Sequence, residues 1–182
     1  MLKNELLPVK LESERLRFRL IELSDEQQWN VFIVDDTVKE FLKIDTTDKE
    51  ASKKWILNQH RRYNSDLGGL LAIENKTTNK FIGQAGILVQ EINEVSELEI
   101  GYHLMPEERK KGYATEAAHA LMNYIFENNI KERIISLIHI DNFASQKVAE
   151  NNGLKRLSQM TFHSFPIYVY GISKKEFFLQ KN

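Results

Sequence analysis

Between Ser96 and Ile140 the hydrophobic period of the sequence changes twice, and no other stretch restricts the fold as much. "SELEIGYHL" alternates as a half-exposed strand does. "GYATEAAHALMNYIFEN" then carries Ala114, Ala117, Ala118, Leu121, Met122 and Ile125 at the i, i+3, i+4, i+7 spacing of an amphipathic helix, and "RIISLIHI" is a near-continuous apolar run, the pattern of a strand buried on both faces. Two strands joined through a helix need a crossover, so the strands at 95–104 and 133–140 are expected to run parallel. A further helix, "NFASQKVAENNG", closes at Gly153, a residue suited to a helix C-terminus. The second half of the chain therefore reads as β–α–β–α, followed by two closing strands around 154–162 and 167–173.

The first half has a different pattern. "RLRFRLI" from Arg15 to Ile21 alternates with period two and predicts a strand. Ser24 with Gln27 three residues later predicts a capping box opening a helix toward Asp36. Trp55, Ile56, Gln59 and Tyr63 predict a second helix after Asp48, stopping at Gly68-Gly69. The strands "LLAIEN", "FIGQAGILVQEI" and "SELEIGYHL" follow with short turns between them, which is the signature of an antiparallel meander. The expected fold class is α+β: a mixed, mostly antiparallel central sheet with helices on both faces. With no internal repeat, no low-complexity tract and three prolines, nothing marks a linker, and the expectation is a single domain over residues 1–182.

A formal net charge of −1 gives no overall attraction to nucleic acid or an anionic membrane, so neither is expected as a partner. There is no cysteine, which removes disulfides, thiolate metal sites and a cysteine nucleophile together. His60, His103, His119, His139 and His163 have no ligand spacing, so no metal is expected. No apolar run approaches the roughly 18 residues of a membrane span, and the N-terminus lacks a signal-peptide core, so a soluble cytoplasmic protein is expected.

Where the meander gives way to the long helix stands "RKKGYATEA", Arg109 to Ala117, with three cations before one glycine. The first backbone N–H groups of a helix have no intrahelical partner and attract anions. Gly112 allows close approach of a phosphate, Ala114 keeps the first turn free of bulk, and Arg109, Lys110 and Lys111 add positive charge. This stretch resembles the pyrophosphate loop of the GCN5-related N-acetyltransferases, (Gln/Arg)-x-x-Gly-x-(Gly/Ala), with Arg109, Gly112 and Ala114 at its three fixed positions. "DNFASQKVAENNGL" is similar to that family's Asn-x-x-Ser signature, and "LESERLRFRLIELSD" resembles the start of its RimJ/RimL-type branch. Lys110 stands where many relatives have glycine, Leu154 replaces the usual phenylalanine, and Ala149 occupies a position where some branches carry a tyrosine acid.

The resemblance implies acetyl-CoA as cosubstrate, held by His103, Leu104, Arg109, Lys110, Lys111, Gly112, Tyr113, Ala114, Thr115, Asn142 and Lys147. It also implies that the strands at 95–104 and 133–140 splay apart to admit the pantetheine arm. Without a cysteine, the acceptor amine would attack the thioester directly within a ternary complex. A primary amine attacks only when neutral, so an α-amine of pKa about 8 needs modest help and a lysine of about 10.4 needs more. Glu99 is the first candidate base, with Glu97 on the same strand face by period two. His139 is the rival base, and Ser145 a candidate contact to the cosubstrate or leaving thiol. Asn142 also reads as an ordinary helix cap. Trp29, Phe32, Phe41 and Trp55 are read as core rather than as a substrate cage. The first candidate acceptor is a protein N-terminal α-amine, and the second a small amine or aminoglycoside-like drug. A non-catalytic acyl-CoA-binding module is the alternative function, and the protein is expected as a monomer or homodimer.

Overall fold

The computed structural model describes residues 5–42 and 44–180. Within them the strands are β1 (Leu16–Arg19), β2 (Gly68–Asn75), β3 (Phe81–Ile92), β4 (Val95–Leu104), β5 (Arg133–His139), β6 (Lys155–Phe162) and β7 (Phe165–Ser173). They form one sheet in the order β1-β2-β3-β4-β5-β7-β6. The meander β1 to β4 is antiparallel throughout, as the short turns require, and β7 lies antiparallel between β5 and β6. The expected parallel pair is present but minimal: β4 meets β5 at Glu99 and Ile135, and no further rung is formed. The sheet is therefore two antiparallel halves joined at one point, with a fork opening between the C-terminal ends of β4 and β5.

The helices are α1 (Glu26–Ile33), α2 (Asp36–Phe41), α3 (Ala51–Asn64), α4 (Tyr113–Glu127), α5 (Phe143–Asn151) and α6 (Lys174–Leu179). Period two on β4 separates them into two layers. His103 packs against Phe32 of α1 and Trp55 of α3, whereas its neighbour Tyr102 reaches α5 on the opposite face. The crossover helix α4 lies with α5 on that second face, where Asn152 donates to the Thr115 carbonyl. Its apolar stripe is buried as its spacing requires: Ala117, Ala118, Leu121, Met122 and Ile125 are all in the core, while Ala114 at the helix start is half-buried.

Two early expectations are corrected and one element is added. Ser24 does not cap the first helix, because a short 3₁₀ turn at Leu23–Asp25 precedes α1. There the buried Asp25 carboxylate accepts from the Glu22 N–H and from both terminal nitrogens of Arg19, at 2.9, 2.7 and 2.7 Å. The helix expected to run toward Asp36 breaks after Ile33, since Asp35 turns out to accept from Thr37 N–H at 3.1 Å and starts a separate helix, α2. The two closing strands are followed by α6, which the sequence reading omitted.

Candidate active site

The fork is held open by side chains that take the backbone partners of the opposite strand. Past the single rung, the Ser136 hydroxyl of β5 donates to the Ile100 carbonyl of β4 at 2.9 Å, and the Leu137 N–H of β5 donates to Glu99 Oε1 at 3.4 Å. Beyond those two bonds β4 pairs only with β3, so its other edge up to Leu104 presents N–H and C=O groups toward the gap. An extended amide-bearing chain can pair with such an edge as an added strand would.

Glu99 sits at the crotch of this fork. Its second oxygen accepts from Gln90 Nε2 at 2.6 Å. Burial raises its pKa above the ordinary carboxylate value, and the Gln90 and Leu137 donors and the positive charge of Arg62 partly counter that rise. Arg62 comes from α3, where its Nη2 donates to the carbonyls of Leu67 and Val89 at 2.7 and 3.1 Å. Glu97, the other carboxylate on this face, is paired with Arg133.

His139 ends β5 between Phe41 and Phe165, with ring centroids 5.4 and 5.7 Å away. The Asp141 N–H lies 3.2 Å from its Nδ1, and the Asp141 carboxylate 3.7 Å from the same nitrogen. His103 lies in an aromatic nest with Phe32 and Trp55 at 5.5 and 5.4 Å. Burial, with the nearby Arg109 charge, pushes it down to about 4, so it is neutral at pH 7. Of the four aromatics read as core, Trp29 and Phe32 are buried, whereas Trp55 and Phe41 are only half-buried and flank the two histidines.

At the open end of the fork, a 3₁₀ turn at Pro106–Glu108 leads into the glycine loop and α4. Gly112 is the N-cap of α4 with φ of 83°, and Lys110 is also left-handed at 61°. The three cations are used differently. Arg109 turns back to the protein, both terminal nitrogens lying 3.1 Å from Asp35 Oδ1 and its Nε donating to the Leu104 carbonyl at 3.3 Å. Lys111 is held by the buried Glu108 carboxylate at 2.9 Å, beside Lys80. Lys110 is exposed and forms no ion pair among the described residues. Tyr113 accepts from Asn75 Nδ2 at 3.3 Å.

Asn142 caps α5, its side chain accepting from Ser145 N–H at 3.1 Å. Lys147 is exposed one turn along. Tyr102, which the sequence reading passed over, reaches across from β4 and donates its hydroxyl to the Ser145 carbonyl at 3.0 Å. Its position next to Gly101 on the splaying strand was the available signal. Arg62 and Asp35 were also missed, because their partners Val89 and Arg109 are distant in sequence, while Gln90 lies across the β3–β4 turn from Glu99, within reach of the meander pattern. No cluster of metal-binding side chains occurs among the described residues, and no helix there is long and apolar enough to cross a membrane.

These features fit a pantetheine diphosphate: an open strand edge for amides, a left-handed glycine at a helix start for phosphates at the fork's open end, and a half-buried carboxylate at its closed end. The comparisons with known proteins agree. An acetyltransferase (GNAT) domain model matches residues 15–155. The protein YkkB of Bacillus subtilis is 32% identical over 162 residues, covering 88% of this chain and 94% of that protein. An acetyltransferase structure from Agrobacterium tumefaciens superposes with a TM-score of 0.72 at 26% identity, covering 89% of this chain and 92% of that one. The structure of RimL, a ribosomal L7/L12 α-N-protein acetyltransferase in complex with coenzyme A, gives 0.72 at 18% identity, covering 92% and 97%.

Proposed function

Since the chain belongs to the GNAT acetyltransferase family, we propose that it transfers the acetyl group of acetyl-CoA to the α-amine of a protein N-terminus, with Glu99 as the base, in the cytoplasm. The observation that carries the reading is the fork, with a half-buried carboxylate at its crotch and a helix start at its mouth. In this reading the pantetheine arm pairs with the free edge of β4 up to Leu104. Its diphosphate lies on the N–H groups of residues 110–114, with Lys110 beside it and Thr115, Asn142, Ser145 and Lys147 along the α5 side.

The protein's own residues then orient the amine and remove its proton. At pH 7 roughly ten percent of an α-amine is neutral, against far below one percent of a lysine, so the base has little to supply for an N-terminus. Burial makes Glu99 a stronger base than a free carboxylate, and its two donors fix the direction of the remaining lone pairs. With no cysteine, no thiol nucleophile competes with direct attack. Resemblance to the RimJ/RimL-type branch and the fold similarity to RimL support a protein N-terminus as acceptor.

Thiol release from acetyl-CoA, measured across peptides with different N-termini, polyamines and amino-sugar drugs, tests the reading. Turnover with a subset of peptides is expected. Faster turnover with a polyamine or drug would replace the acceptor, and CoA binding without thiol release from any amine would point to a binding module.

A further inference from the structure

A carboxylate stands in the first turn of α4, one turn from where the proposed diphosphate would lie. Glu116 is held there by three donors: Ser13 Oγ at 2.7 Å, the Arg15 N–H at 2.7 Å and Arg15 Nε at 2.6 Å. The same arginine donates from Nη1 to the Lys111 carbonyl at 3.0 Å, and its guanidinium lies 4.4 Å from the centre of the Tyr113 ring. Its Nη2 would be 3.3 Å from a Cβ added at Gly112. One side chain, arriving from the edge of the sheet just before β1, thus touches the loop at Lys111 and Gly112 and the helix at Tyr113 and Glu116.

Two physical consequences follow. A trans peptide is planar, with its C=O and N–H pointing in opposite directions. Turning the Lys111 carbonyl toward Arg15 therefore turns the Gly112 N–H away from it, to the side where an anion would lie. An unpaired carboxylate near that anion would repel it, and the paired Glu116 does not. This matters more because two of the three cations expected to serve the loop are committed elsewhere, Arg109 to Asp35 and Lys111 to Glu108. The Nε and Nη1 of Arg15 are committed to Glu116 and to the Lys111 carbonyl, so these two groups hold the loop.

We propose that Arg15 is a positioning residue of the cosubstrate site: it neutralises Glu116 and fixes the Lys111–Gly112 peptide so that the loop's backbone donors face a diphosphate. This rests on the reading that residues 110–114 take the phosphates of acetyl-CoA.

Calorimetric titration with CoA and with phosphate-free pantetheine tests it, using the unaltered protein, Arg15→Gln, Glu116→Gln and the double variant. Arg15→Gln is expected to weaken CoA by about tenfold or more while leaving pantetheine unchanged. Glu116→Gln keeps its hydrogen-bonding shape and should bind CoA at least as tightly as the unaltered protein, and adding it to Arg15→Gln should restore most of the loss. The ratio of the two affinities is read within one folded sample, so a lower fraction of folded protein does not enter it. Unchanged CoA affinity in Arg15→Gln, equal losses for both ligands, or no recovery in the double variant would overturn the proposal. If the unaltered protein failed to bind CoA, the reading of the loop itself would fall, and this inference with it.

Discussion

Replacing Glu99 with glutamine keeps an oxygen for the Leu137 N–H and removes the charge, and the Gln90 amide can flip to present its oxygen to the new NH2 group, so the substitution largely separates the shape of the fork from its chemistry. A general base contributes about 10²–10⁴ in rate, and Glu99→Gln is expected to lower kcat by that order with CoA affinity nearly unchanged. Because burial raises its pKa, the acidic limb of kcat/KM should lie at higher pH than a free carboxylate would give, and should vanish in the variant. Wild-type turnover with the limb intact would remove Glu99 from the mechanism. At this scale the sequence was legible wherever a role depends on local order. Glu99 follows from its place on an alternating strand, and Gly112 from its place before a helix. Arg15 and Glu116 meet across 101 positions and Arg109 meets Asp35 across 74, and no periodicity encodes such pairs. The same limit hid the commitment of Arg109 to Asp35, whereas the pairing of Lys111 with Glu108, three residues away, was within local reach.

Elements were legible in proportion to their length. α4, with 15 residues, shows its buried stripe over four turns, and β5 shows a near-continuous apolar run, whereas α2 and α6 have six residues each and complete fewer than two turns. α6 could still have been found from its ends. Ser173 and Glu176 form a capping box in which the serine hydroxyl donates to the glutamate at 2.7 Å and the Glu176 N–H returns to the hydroxyl at 3.3 Å. Ser173→Ala should cost about 1 kcal/mol and lower the midpoint of thermal unfolding by roughly 2–4 °C. The Lys155 ammonium, with the Ser173 N–H and hydroxyl, holds the Glu176 carboxyl down at about 2. Since this lies below the unfolded carboxyl value of about 4.3, the stabilisation is complete above that pH and is lost as the pH falls from there toward 2. Glu176→Gln should flatten that part of the stability profile, and an unchanged profile from pH 5 to 2 would contradict the assignment.

On the scale of the whole molecule, the sheet has a seam. β1 to β4 and β5-β7-β6 are each continuous antiparallel units, and across the seam they share one rung, the two side-chain bonds at the fork and the ion pair of Glu97 with Arg133. A ligand with an extended arm between β4 and β5 adds contacts where the protein has few of its own. Bound only by the folded state, CoA at a hundred times its dissociation constant would stabilise the protein by about 2.7 kcal/mol, a rise of roughly 5–11 °C for a chain of this size. Differential scanning fluorimetry with CoA and with pantetheine measures it, and no shift at saturating CoA would argue against an arm in the fork. The parallel neighbours were legible from the crossover rule. Their separation after one rung was expected only through the family resemblance, because it depends on Ser136 and Glu99 reaching the facing backbone.

Glu99 also has a built-in spectroscopic witness. The Leu137 amide donates to the carboxylate that is proposed to take the substrate's proton, so its nitrogen and proton frequencies depend on whether that carboxylate is charged. Following this one amide resonance against pH would report the ionisation of the base in the intact protein, without substrate or any substitution. Its inflection should lie above that of an ordinary glutamate and move when CoA fills the gap beside it. A resonance that titrates with a normal carboxyl midpoint, or not at all, would show that the carboxylate is not tuned as its burial requires.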